Sequence, residues 1–223
     1  MSNPNDQVAP RLALVTGASR GLGAALAEEL ALRGYHVLAV ARTVGGLEEL
    51  DDRIRKAGGQ ATLAPMDVAE PAAMQQLVEA VAGRWGGVDL WAHCAIHAAP
   101  LAPAPHVSGK DWSKSLLINA DVTRGLIALI EPLLRQKNGT ALFFDDPQAG
   151  RKFMGAYGAT KAAQIALARS WQAETAQIGP RIVIETPAPM PTAVRARFYP
   201  GEDRAALTPC RDEARRILDA LPA

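Results

Sequence analysis

The sequence predicts an α/β domain built on a doubly wound, parallel sheet of about six strands with helices on both faces. Three observations carry this reading. Short apolar runs alternate with longer amphipathic stretches along the chain, the first run ends in a glycine-rich turn, and the connecting helical patterns span ten residues or more. Helices of that length between strands imply βαβ units and a sheet covered on both sides.

LALVTG (12–17) reads as the first strand, and Arg20 to Leu32 has helical spacing at Leu22, Leu26 and Leu30. YHVLAVA (35–41) is the second strand, entered through Gly34. A helix is expected from about Gly46 to Lys56, stopped by Gly58 and Gly59. QATLAPM (60–66) follows as a strand, 70–84 as a helix ending at Gly86-Gly87, and VDLWAHC (88–94) as the fourth strand. The proline-rich stretch 98–105 must be a loop. A long helix is expected from about Asp111 to Arg135, a fifth strand at TALFF (140–144), and a second long helix over about 155–178. RIVIET (181–186) is the sixth strand. Residues 187–208 are Pro-rich and read as irregular, and 209–221 as helical. Crossovers should be right-handed. With no internal repeat, residues 11–223 form a single domain preceded by a loose polar tail, 1–10.

Composition narrows the function classes. Of 223 residues, 48% are apolar and 21% charged, as in ordinary globular proteins. A formal charge of +1, from 24 basic and 23 acidic residues, gives no electrostatic reason to expect nucleic acid or an anionic membrane as partner. The chain shows no bilayer-spanning run and no signal-peptide pattern, so a cytoplasmic location is expected. Cys94 and Cys210 are too few for a disulfide framework or a cysteine-rich metal site and read as free thiols.

TGASRGLG (16–23) places glycines at 17, 21 and 23 between a strand and a helix. Gly17 permits a sharp turn. Gly21 and Gly23 permit close approach of a pyrophosphate and of helix to strand, and the helix start offers free N–H groups. The bland alternative is a glycine-rich turn without a ligand; the flanking strand and helix argue against it.

Together with AYGATK (156–161), this Gly-x-x-x-Gly-x-Gly turn resembles the short-chain dehydrogenase/reductase family. The resemblance runs from Arg11 to about Leu218. GRKFMGAYGATKAA (150–163) and RARFYPGED (195–203) are most similar to a bacterial subgroup of uncharacterised oxidoreductases. It implies a Rossmann-type fold, a nicotinamide cofactor, and hydride transfer to or from a small carbonyl or alcohol. The cofactor-binding positions it implies are Gly17, Ser19, Arg20, Gly21, Leu22, Gly23, Arg42, Asp67, Val68, Cys94, Ala95, Tyr157, Lys161, Pro187 and Thr192. The second strand ends Val40-Ala41-Arg42-Thr43, where an NAD enzyme would place an acid. A guanidinium there, with Arg20 nearby, suits a 2′-phosphate and favours NADP; the alternative for Arg42 is a solvated surface side chain.

Tyr157 and Lys161 lie one helical turn apart. A nearby ammonium favours phenolate, so Lys161 is expected to lower the Tyr157 pKa from about 10 and let the phenol exchange a proton with substrate. Without the glycine turn, a helical tyrosine beside a solvated lysine would be the plainer reading. The resemblance makes Tyr157 the acid/base, Lys161 the ribose ligand, and Asn119 the holder of a water relay behind Lys161.

The chain also departs from the family. His93-Cys94-Ala95-Ile96 replaces Asn-Asn-Ala-Gly, and Pro187-Ala188-Pro189 replaces Pro-Gly. Counted along the fifth strand from Gly139, the family's catalytic serine falls on Asp146; counted back from Tyr157 it falls on Phe144. No serine occurs between Ser115 and Ser170. An ionised carboxylate accepts hydrogen bonds only, repels a developing alkoxide and opposes Lys161. Three readings follow. Asp146 is neutral or faces a cation in a working enzyme. The site is degraded and the chain binds NADP without turnover. Or Asp145 and Asp146 form a solvated turn, with His93 or His97 as the substituting donor. A metal held by these acids and histidines is a minor reading, and no metal is expected. Residues 187–208 are expected to form a substrate lid, with an apolar wall from Met190, Val194, Phe198 and Tyr199. The family's last strand is expected to be missing. A homodimer is expected through the helices at 111–135 and 155–178.

Overall fold

The computed structural model describes residues 10–221, so all but Pro10 of the predicted loose tail lies outside the described residues. Six parallel strands form one sheet: β1 (Leu12–Thr16), β2 (His36–Ala41), β3 (Gln60–Pro65), β4 (Leu90–His93), β5 (Thr140–Phe144) and β6 (Arg181–Glu185), in the order β3-β2-β1-β4-β5-β6. All six lie where the apolar runs place them. β1 pairs with β4 at the centre, with Thr16 opposite His93. The chain order reverses at this pair, so a crevice opens at the carboxyl ends of β1 and β4.

The pleat divides the core. Ala13 and Val15 face one cluster, filled by Leu26 and Leu30 of α1 (Gly21–Leu32), Leu50 and Ile54 of α2 (Val44–Lys56), and Ile217 of the C-terminal helix. Leu12 and Leu14 face the other, filled by Met74 and Val81 of α3 (Pro71–Trp85) and by the two long helices. Trp91 and Phe143 meet edge-on at its centre, ring centroids 5.4 Å apart.

The first long helix differs from expectation in two ways. It starts earlier, because Ser108 caps α4 (Gly109–Leu116) by accepting from the Asp111 amide at 3.0 Å. It also carries a π-helical turn, Leu117–Asp121, before α5 (Val122–Lys137). The second long helix, α6 (Gly155–Thr175), stops short of 178. The segment 187–208, expected to be irregular, contains a short helix, α7 (Ala193–Phe198), capped by Thr192, whose Oγ1 accepts from the Arg195 amide at 3.1 Å. The last helix is α8 (Cys210–Asp219). β6 ends the sheet among the described residues.

Burial ranks the side chains. Phe143→Ala, at a fully buried position, should cost about 3–5 kcal/mol in urea unfolding. Ile178→Ser, at a position 81% exposed, should stay within about 0.5 kcal/mol.

Candidate functional site

The crevice is a cavity of about 690 Å³ that brings together the glycine turn, the ends of β2 to β5, the start of α6 and the 187–208 segment. At its floor the backbone packs closely. A Cβ on Gly17 would lie 2.7 Å from the Ala95 nitrogen, and one on Gly23 only 2.3 Å from the Gly17 oxygen. Gly17 and Gly21 both have positive φ, at 76° and 59°. Arg20 precedes α1 in extended conformation and makes no side-chain cap, so no side chain claims the first-turn N–H groups. This cradle, with a helix start free of side chains, fits a pyrophosphate.

Ser19, Leu22, Val68 and Thr192 line the same cavity. Arg42 sits at the rim with its side chain 60% exposed and pairs with Asp67 at 3.5 Å. A pair that open and long contributes at most about 1 kcal/mol, so an incoming phosphate can compete for the guanidinium. Ala188, beside Pro187, donates its amide to Glu213 of α8 at 2.9 Å, which ties the loop after β6 to the last helix. Cys94 lines the floor, where burial pushes its thiol up to about 12. It stays a protonated packing group.

At the other end, Asp146 and Tyr157 meet. The Tyr157 hydroxyl donates to Asp146 Oδ2 at 2.8 Å, and Gln148 Nε2 donates to Asp146 Oδ1 at 2.9 Å. The Gln148 amide is itself oriented by the Tyr199 hydroxyl, which donates to its Oε1 at 3.3 Å. Of the two ways to count the missing serine, the structure thus puts Asp146 beside Tyr157; Phe144 is a buried strand residue. The short link between them closes against α6 at Gly158, where a Cβ would stand 2.7 Å from the Gln148 carbonyl oxygen. The link turns through Gly150 and Phe153, both in the left-handed region.

One expectation about this centre is corrected. Lys161 does not lower the Tyr157 pKa. Burial raises it well above its ordinary value, and the Asp146 charge, the Asp146 hydrogen bond and the Asp145 charge add to the rise. Asp145 is not part of this pair; it bonds Arg169 of α6 at 3.2 Å.

Lys161 is buried. Its ammonium donates to Gln164 Oε1 at 2.7 Å, and burial lowers its pKa to about 8, with the Asp146 charge opposing. Gln164 Nε2 donates to Thr123 Oγ1 at 2.9 Å, and Thr123 donates to the Asn119 carbonyl at 3.0 Å. His93 Nε2 lies 3.0 Å from the same Thr123 oxygen, and Nδ1 lies 2.8 Å from Thr16 Oγ1. Thr123 has one proton, already donated, so Nε2 carries the histidine proton and Nδ1 accepts. His93 is therefore a neutral bridge and not a donor to substrate; burial, then the Lys161 charge, lowers its pKa to about 3. Asn119, in the π-helical turn, accepts from the His97 amide at 2.7 Å and donates to the His97 carbonyl and to Thr160 Oγ1, both at 2.9 Å. Its side chain fixes the loop after β4 against α6. His97 lines the cavity, and its Nε2 has no partner among the described residues. Among those residues, no group of three or more His, Cys, Asp or Glu side chains is gathered to hold a metal ion.

Sequence reasoning missed Gln148, Gln164, Thr123 and Thr16. Gln164 had a signal, since it lies three residues beyond Lys161 on the same helix face. Phe198 and Met190 of the 187–208 segment are buried. The Phe198 ring packs on Tyr157 with centroids 4.9 Å apart, so part of the expected apolar wall is core for the tyrosine.

The sequence matches the short chain dehydrogenase family over residues 11–203. It is 32% identical over 175 residues to a fatty acyl-CoA reductase from Acinetobacter baylyi, covering 76% of this chain and 59% of that protein. It is 30% identical over 200 residues to a D-threitol dehydrogenase from Mycolicibacterium smegmatis, covering 88% and 76%. A Shigella flexneri protein assigned as a short chain dehydrogenase and solved with NADP superposes with a TM-score of 0.84 at 27% identity, covering 93% of this chain and 89% of that one.

Two buried bases make stability depend on pH. The folded His93 pKa, about 3, is below the ordinary 6.5. As pH falls from 6.5 towards 3 the unfolded chain takes up the proton first, and stability drops by up to about 1.4 kcal/mol per pH unit. His93→Gln should show a shallower acid slope in urea midpoints than the wild type. Lys161 works the same way between about 8 and the ordinary 10.5, where stability should rise with pH.

Proposed function

The chain belongs to the short chain dehydrogenase family, and on that premise we propose that it is an NADP(H)-dependent oxidoreductase acting on a small substrate held beneath the 187–208 lid. One observation carries this reading: a single cavity joins the glycine cradle and Arg42 to Tyr157 and Lys161. The nicotinamide, when bound, supplies or accepts hydride. Lys161, protonated below about pH 8, would hold the nicotinamide ribose, and Gln164 orients its ammonium. Arg42 and Arg20 would take the 2′-phosphate. Tyr157 would face the reacting group, with Phe198 keeping water from its ring.

The class implied by the family is a small carbonyl or alcohol. The Tyr157–Asp146 bond favours a second reading for that class, in which the chain holds NADP(H) with impaired turnover. Tyr157 commits its proton to Asp146, and the raised phenol pKa opposes phenolate formation in the oxidation direction.

NADPH fluorescence titration should give binding at least about tenfold tighter than NADH, and Arg42→Ala should remove most of that ratio by weakening NADPH alone. Asp146→Ser should raise NADPH oxidation against a ketone and aldehyde panel at least about tenfold, about 1.4 kcal/mol of barrier. Tighter NADH binding would reject the cofactor assignment. An unchanged Asp146→Ser rate would reject the role given to the carboxylate.

We also propose a homodimer through the two long helices. Trp112, Leu116 and Leu117 stand exposed on the first of them. Light scattering should give twice the mass of one chain, and Leu117→Arg should reduce it to one.

A further inference from the structure

At the polar end of the cavity the Tyr157 hydroxyl is not free to donate to a carbonyl. Tyr157 is almost fully buried, and its only proton is directed at Asp146. The Lys161 ammonium gives one of its three N–H groups to Gln164, and the Gln148 amide gives one of its two to Asp146. Three neighbouring charged groups are engaged elsewhere. Asp145 pairs with Arg169, Arg195 donates to Glu202 at 2.6 Å, and Arg197 donates to the Ala98 carbonyl at 2.6 Å. Asp146 lines the cavity and makes no ion pair among the described residues. The Tyr157 oxygen and both Asp146 oxygens keep unused lone pairs. The chain thus presents acceptors and a negative charge where the family presents two hydroxyl donors. Such a surface repels a developing alkoxide and attracts a cationic N–H group.

Resting on the oxidoreductase reading above, we propose that the group reduced in this site is a protonated carbon–nitrogen double bond, an iminium, and that the product is an amine. Asp146 and the Tyr157 oxygen accept the substrate N–H and keep the nitrogen protonated. The iminium carbon receives a hydride with its electron pair and forms a C–H bond. The C=N π pair moves onto nitrogen and discharges it, and the reduced nicotinamide is oxidised in the same step. No proton is transferred, so Tyr157 need not give one up. A carbonyl would need one at oxygen, which explains how the Asp146–Tyr157 pair suits one substrate class and hinders the other.

The test is calorimetric titration of the NADP⁺-loaded protein with pyrrolidine and piperidine, against cyclopentanol and cyclohexanone as neutral counterparts of matched size. The amines, protonated at pH 7, should bind at least tenfold more tightly. Asp146→Asn and Asp146→Ser should each abolish that ratio while NADPH titration stays unchanged. With NADPH, 2-methyl-1-pyrroline should be reduced faster than cyclopentanone by the wild type, and the order should reverse in Asp146→Ser. Amines binding no better than the neutral ligands, or not at all, with NADPH binding intact, would overturn the iminium assignment alone. Failure of the wild type to bind NADPH would overturn the oxidoreductase reading beneath it.

Discussion

A neutral histidine bridges the central strands to both long helices. His93 stands at the end of β4 opposite Thr16 of β1, accepts from Thr16, and donates to Thr123 of α5. Thr123 also receives Gln164 of α6, and Gln164 receives the Lys161 ammonium. Five buried polar side chains satisfy one another along this line, and removing any one would leave a buried group unpaired. Protonating His93 would place two donors where Nδ1 now accepts. The network therefore needs a neutral ring, and burial keeps it neutral. The position of Lys161 follows from that requirement.

A second line of hydrogen bonds runs from the 187–208 segment to the Asp146 end of the cavity: Tyr199 to Gln148, Gln148 to Asp146, and Tyr157 to Asp146. Asp146 raises the phenol pKa, whereas the family arrangement of serine, tyrosine and lysine lowers it. The short link between β5 and α6 makes the line feasible, because it brings the Gln148 carbonyl down onto Gly158. A side chain at 158 would lift the link and separate Gln148 from Asp146.

The two ends of the cavity are built by different means. The cofactor end is backbone: Gly17 against Ala95, Gly23 against Gly17, and the open start of α1. The Asp146 end is side chains on α6, on the link before it and on the 187–208 segment. Relatives that share the cradle can thus differ in what they reduce, since the side chains at 146, 148, 157 and 199 change without disturbing the glycine turn.

The sequence by itself determined the six strands, their parallel pairing and the glycine cradle, because apolar runs, turn glycines and helix periods are local signals read within a few residues. It also placed Tyr157, Lys161 and Arg42, whose spacing from those signals is short. It left the role of Asp146 open, since two ways of counting gave two residues, and it left open whether His93 is a donor. Tertiary structure decided both. Asp146 meets Tyr157 only because a shortened link folds back on α6, and His93 is neutral only because Thr16 and Thr123, from distant parts of the chain, close on its two nitrogens. Protonation state and hydrogen-bond direction belong to the packed environment, and residues 16, 93, 123 and 164 share one only once the sheet and both long helices have assembled.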